Sequence, residues 1–115
     1  MKIIINGKTY TVKTEDSKTL RDIEGILPVT LTMKRNHDVE FTGELPVKPE
    51  NDGRKISKIE PNGIYYYEGW NVLCMNYREG DISPYYITYL GEAEDPELSE
   101  YLKKADDTFT AVVEE

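Results

Sequence analysis

The chain has one cysteine, one tryptophan and one histidine in 115 residues, and each scarcity closes off a class of chemistry. With a single thiol, Cys74, no intrachain disulfide can form, which agrees with a reducing compartment. With a single imidazole, His37, a metal site has at most one histidine ligand, and a Ser-His-Asp triad would have to be built around a turn residue. No glycine-rich phosphate loop is present, so no nucleotide cofactor is expected, and no metal or other cofactor either. No apolar run approaches the ~20 residues of a membrane helix. The opening Met1-Lys2-Ile3-Ile4-Ile5 is cut off by Asn6-Gly7-Lys8, far short of the ~7–15 apolar residues of a secretory signal. These absences together lead to the expectation of a cytoplasmic protein with no membrane contact.

Bases are also in short supply: 14 against 22 acids, a net charge of −8. The excess is uneven, since residues 92–115 hold nine of the acids and only two bases. Such a balance opposes phosphate backbones, so nucleic acid is not an expected partner, and the acidic C-terminal part reads as a solvated surface.

What the chain does have is strand-forming side chains in short runs. At this length one core suffices, and residues 1–115 read as a single domain. The densest run is Tyr65 to Tyr77, where Glu68-Gly69-Trp70-Asn71 breaks two stretches rich in Tyr and Val, the pattern of a central hairpin. Asn62-Gly63 bounds it on the N-terminal side. Lys2–Ile5 and Lys8–Val12 flank Asn6-Gly7, the strongest short-range signal for a two-residue hairpin turn. Asp16 or Ser17 caps a short helix that places Leu20, Ile23 and Leu27 on one face, with Gly25 weakening its end and Pro28 closing it.

Val29–Met33 is a β-branched strand, followed by the polar run Lys34-Arg35-Asn36-His37-Asp38 as a loop. Val39–Leu45 resumes a period of two, with Val39, Phe41, Gly43 and Leu45 on one side. Residues 46–58 hold two prolines, a glycine and mostly polar side chains, the composition of a surface connection and the best candidate for a mobile loop. Tyr85–Leu90 is another aromatic strand. Asp95-Pro96-Glu97 then starts a second helix, with Leu98, Tyr101 and Leu102 on its apolar face and Lys103 and Lys104 near its C-terminus. Thr108–Val113 is the last strand. About eight short strands must hide their edges, which predicts a mainly β fold: a closed antiparallel barrel or sandwich with the two short helices covering its ends.

Taken in order, Leu27-Pro28-Val29-Thr30-Leu31-Thr32-Met33, Gly43-Glu44-Leu45-Pro46, Asn62-Gly63-Ile64-Tyr65-Tyr66-Tyr67, Val72-Leu73-Cys74-Met75-Asn76-Tyr77 and Tyr89-Leu90-Gly91 resemble the small cyclophilin-like proteins of bacteria and archaea. The resemblance spans nearly the whole chain. It differs at Asn62, where that group often has an acid, and at Arg78, where a glycine usually follows the aromatic. The resemblance implies a closed cyclophilin-type β-barrel with a helix at each end. For true cyclophilins it further implies prolyl isomerisation in an apolar and aromatic groove beside one arginine, and such a site needs no nucleophile or metal, because desolvating and twisting the amide is enough. Their Phe-His-Arg triplet is not kept here. The corresponding stretch reads Thr32-Met33-Lys34-Arg35, and aligning Arg35 with the family's arginine requires a register shift that would turn the side chain to the other face.

Two functional readings follow. In the first, the barrel is a binding module whose aromatic groove holds a peptide, a small ligand or a second copy of the chain, with Phe41, Tyr66, Trp70 and Tyr85 as groove residues. In the second, it is a weak peptidyl-prolyl isomerase in which Arg35 is catalytic and Phe41, Tyr66 and Trp70 form the groove. Each residue also has a plainer reading: Arg35 as a solvated turn residue, Trp70 as packing folded back on the barrel end, the exposed tyrosines as ordinary sheet surface. Cys74 reads as a small core residue with no base nearby in sequence to activate it. A homodimer is the third expectation, from an aromatic patch that alternation leaves on one sheet face.

Overall fold

Asn6 and Gly7 both take positive φ, 51° and 81°, so the chain reverses in two residues and pairs β1 (Lys2–Ile5) with β2 (Lys8–Thr14). The computed structural model describes residues 1–115 and continues from this hairpin as the local signals suggest. Ser17 caps α1 (Lys18–Glu24) by accepting a hydrogen bond from the Leu20 amide, and Leu20 and Ile23 are buried. The remaining elements are β3 (Val29–Asn36), β4 (Glu40–Glu44), β5 (Lys55–Ile56), β6 (Lys58–Ile59), β7 (Gly63–Tyr67), β8 (Val72–Asn76), β9 (Gly80–Asp81), β10 (Ile87–Ala93), α2 (Glu97–Lys104) and β11 (Thr108–Glu114).

The main sheet runs β2-β1-β11-β3-β4-β8-β7-β10, and β10 pairs back onto β2, so eight antiparallel strands close into a barrel with no free edge. The expected mainly β, closed antiparallel barrel with two helices is therefore the observed fold. The registers put the helices at opposite ends: α1 precedes the start of β3, whereas α2 leads into Thr108, which pairs with Lys34 near the end of β3. Leu20 and Ile23 of α1 and Leu98 and Leu102 of α2 plug the interior, joining Ile3, Leu31, Met33, Phe41, Ile64, Tyr66, Leu73, Met75 and Leu90 in one core. Asn62, held at φ 69°, turns its side-chain oxygen to the Ser99 amide and ties the first turn of α2 to the sheet.

Three expectations need correction. The polar run after Met33 is not a loop up to Asp38: β3 continues through Asn36, and the turn is made by His37 and Asp38, both at φ 52°. Arg35 continues the inward alternation of Leu31 and Met33, since its charge finds partners under α2. Tyr85 and Tyr86 precede β10 in a connection and are exposed; the strand starts at Ile87. Finally, residues 46–58 are fastened rather than loose. The Glu50 carbonyl accepts from the Thr19 hydroxyl, which in turn accepts from the Asp52 amide, Val47 accepts from Asn71, and Asn51 meets Thr88.

The central hairpin is buried on both faces, which sets this barrel's outer surface apart. Ile64, Tyr66, Leu73 and Met75 point inward. On the outer side Tyr65, Val72 and Cys74 pack with Ile59 and Ile87 into a second, smaller core, joined by Ile56, Tyr67, Ile82, Tyr89 and Val39, which precedes β4 and so does not share the inward side of Phe41 and Leu45 that the period of two predicts. The cover is a flap in which β6 pairs with β9. The Ile82 amide donates to Ser57 and the Ser57 hydroxyl to Tyr85, which holds the flap to the connection that follows it.

Candidate functional site

Alternation along β3 and β4 decides what each charged side chain can do. Arg35 and Phe41 are cross-strand partners facing inward at the α2 end, and the guanidinium lies 4.7 Å from the centre of the Phe41 ring. Its side chain is only 17% exposed. Nε donates to Asp107 at 2.8 Å, Nη1 to the Tyr77 hydroxyl at 2.7 Å and to the Leu102 carbonyl, and Nη2 to the Ala105 carbonyl. Four of the five donors of an arginine are thereby spent on the chain itself. Tyr66 is fully buried inside the barrel with its hydroxyl on Asn71, and Phe41 is fully buried as well.

Trp70 sits in the β7–β8 turn, at the end of β8 away from Met75, the partner of Phe41. Its ring stands at 88° to Tyr67, on the outer surface, and is 51% exposed. The sequence-derived groove therefore divides. Arg35, Phe41 and Tyr66 belong to the interior, whereas Trp70 and Tyr85 lie outside. No surface brings the Arg35 guanidinium and Trp70 together, which was the geometry that isomerisation by Arg35 required.

Trp70 and Tyr85 instead meet around a different hollow. Between the flap and the outer face of the central hairpin lies a pocket of about 380 Å³ lined by His37, Glu40, Ile59, Tyr67, Trp70, Cys74, Ile82, Tyr85 and Ile87. Glu40 and His37 are its charged or titratable contributions from the β3–β4 turn region, and no lysine or arginine lines it. Glu40 makes no hydrogen bond or ion pair through its carboxyl, and burial alone pushes that carboxyl up to about 7. Burial likewise pushes the Cys74 thiol well up, so it is a neutral wall of the pocket rather than a nucleophile.

Asn76 is the cross-strand partner of Glu40 and shares its outer face. It is fully buried, and neither its amide oxygen nor its amide nitrogen is hydrogen-bonded. A second hollow of about 550 Å³ lies between Arg54, Lys58, Glu60, Asp81 and Glu92, but it is a polar cleft whose Arg54 is paired with Glu15 at 3.1 Å and stacked 4.5 Å over Tyr89. An apolar pocket with one unpaired carboxyl is the more specific arrangement.

The raised carboxyl has a measurable consequence. An unfolded glutamate releases its proton near 4.5, whereas folded Glu40 keeps it to about 7. The stability that Glu40 contributes while protonated is lost as pH rises through this window, by roughly 3 kcal/mol in all. Glu40→Gln cannot titrate. Its melting temperature should therefore gain on the native chain by roughly 10 °C between pH 4.5 and pH 8, read by calorimetry at both values. A constant gap would mean that the carboxyl is hydrated.

Sequence reasoning named Trp70 and Tyr85 and missed Glu40, Tyr67, Ile59, Ile82 and Ile87. Alternation pointed to an aromatic patch on one sheet face, and Tyr67 lies on the outer one. Nothing local marks Glu40, because a glutamate alternating with Val39 and Phe41 looks like any solvent-facing strand residue.

Comparison with known proteins fits this architecture. None of the curated proteins matches the chain. The solution structure of a hypothetical protein from Archaeoglobus fulgidus is similar over 98% of this chain and 91% of its own, with a TM-score of 0.73 and 20% identity, a likeness of fold. The family model described as the cyclophilin-like family matches residues 3–114, and the chain belongs to that family.

Proposed function

We propose that this protein is a small-ligand-binding module that uses the apolar pocket on the outside of its barrel. The observation that carries the reading is the pocket's composition: seven apolar or aromatic residues around one carboxyl that has no partner in the chain. Binding sites commonly combine such an apolar wall with a few polar groups that fix orientation, and a volume of about 380 Å³ suits a small molecule rather than a length of peptide. Tyr67, Trp70 and Tyr85 form the aromatic side, and Ile59 and Ile82 of the flap region the opposing one.

Trp70 makes the proposal easy to test, since the only tryptophan of the chain lines the pocket. Titration with benzyl alcohol, a neutral aromatic probe, should shift its emission to the blue in a saturable way. The rim substitution Tyr85→Ala, at a side chain 65% exposed and so harmless to the fold, should weaken the response several-fold. Emission that changes only linearly with probe, in both proteins, would refute the reading.

A further inference from the structure

We infer that the occupant of this pocket is a small organic cation, an ammonium with apolar substituents, whose charge lies against Glu40. This rests on the pocket being a binding site and names its ligand class.

Three observations converge on it. First, the carboxyl of Glu40 has no cationic partner although bases stand nearby. Arg35 is committed at the α2 end of the barrel to Asp107 and Ala105, and Arg78 reaches Asp38 instead, with Nε on its carbonyl and Nη2 3.7 Å from its carboxylate. The pocket thus holds an acid and excludes lysine and arginine. Second, the wall beside it is aromatic. Tyr67 and Trp70 meet edge to face with centroids 5.4 Å apart, so their planes stand perpendicular, and Tyr85 adds a third ring. Rings set at angles around a site offer their electron-rich faces to a positive charge, and a quaternary ammonium loses little on leaving water. Third, Asn76, the cross-strand partner of Glu40, is buried behind the pocket wall with its amide unsatisfied and gives the carboxyl no hydrogen bond, so the chain itself leaves Glu40 unanswered.

An anion would meet an acid with no base to answer it. A neutral apolar molecule would use the rings and leave Glu40 as it is. A cation with apolar substituents uses both the rings and the carboxyl.

The charge makes binding depend on pH. The groups that face Glu40 are His37 from the β3–β4 turn, Cys74 from β8, Tyr67 from β7 and Tyr85 from the connection before β10; the flap contributes only Ile59 and Ile82. Burial holds Glu40 protonated below about 7, and a cation needs the carboxylate, so affinity rises with pH up to that range and levels off above it. The variant His37→Asn isolates whatever the imidazole adds to the profile.

The test compares choline with 3,3-dimethylbutan-1-ol, its neutral analogue with carbon in place of nitrogen, by titration against backbone amide and Trp70 indole resonances of the intact chain. Choline should bind roughly tenfold or more tightly than the alcohol at pH 8, and lose most of that advantage at pH 5.5 and in Glu40→Gln. The pH dependence should survive in His37→Asn. Glu40→Gln should keep the native fold, since it removes a buried charge, so lost binding there reports the carboxyl. Equal binding of the two probes, or a preference that Glu40→Gln leaves intact, overturns the cation while leaving the pocket as a binding site. Failure of choline, the alcohol and benzyl alcohol alike to shift pocket resonances overturns both.

Discussion

Gly91→Ala should cost the barrel about 3–4 kcal/mol, because the added carbon meets backbone rather than a side chain. A Cβ at Gly91 would stand 2.4 Å from the Lys13 carbonyl oxygen, 2.9 Å from Thr14 Cα and 3.1 Å from the Lys13 carbonyl carbon. All three are backbone atoms, so no side-chain rotation relieves the overlap. They belong to β2 at the seam that closes the barrel, where Gly91, Glu92 and Ala93 pair with Thr14, Lys13 and Val12. Relief means parting that seam, and a parted seam leaves two strand edges unpaired. Gly80→Ala is the matched control, because its Cβ would meet only Ile59 side-chain carbons at 3.5 Å, an ordinary contact. Urea unfolding of the two variants should separate them by most of the predicted loss. Equal midpoints would show that β10 does not approach β2 as closely as the closed barrel requires.

Arg35→Ala should destabilise by about 2–3 kcal/mol, and this loss is the signature of a structural arginine. The guanidinium joins β3 to the C-terminal end of α2 through the Leu102 and Ala105 carbonyls, to Asp107 beyond it, and to Tyr77, whose hydroxyl in turn donates a hydrogen bond to Asp38 at 2.9 Å. Removing it leaves the Ala105 carbonyl and the Tyr77 hydroxyl without their donor and opens space over Phe41 and Tyr77. Arg35→Lys keeps the charge but not the planar fork, and should recover less than half of the loss. Chemical denaturation of the three proteins decides it. An Arg35→Ala protein within about 0.5 kcal/mol of the native one would mean that the side chain is free for a ligand, and would return Arg35 to the list of site residues.

How far the fold could be read from sequence depended on how local each signal was. Asn6-Gly7 turned the chain because both positions need positive φ, Ser17 capped α1 through the amide three residues on, and Leu20 and Ile23 fell inward at helical spacing. Arg35 escaped because its inward orientation is supported by carbonyls at positions 102 and 105, and a polar run from Lys34 to Asp38 looks the same whether or not a helix end covers it. Tyr85 was drawn into a strand by its neighbours, although pairing begins only at Ile87. For residues 46–58, composition reported a surface connection correctly and could not report the bonds to Thr19 and Thr88 that fasten it.

The candidate site was the least legible part. Trp70 and Tyr85 were visible as large aromatics beside a hairpin, but the pocket that joins them exists only because β6 and β9, two short segments some twenty residues apart, pair across the outer face. The same flap buries the surroundings of Glu40 and moves its carboxyl to about 7.

By itself, then, the sequence determined the main strands, their turns and the two helices, and hence a mainly β fold that is a barrel or a sandwich, because these follow from the φ, volume and polarity of adjacent residues; the resemblance pointed to the barrel. Tertiary structure alone decided which of two alternating faces became interior, pocket or surface. That choice depends on what packs against a strand from elsewhere in the chain, and a carboxylate, a guanidinium or a tyrosine changes its chemistry with the solvent that such packing removes.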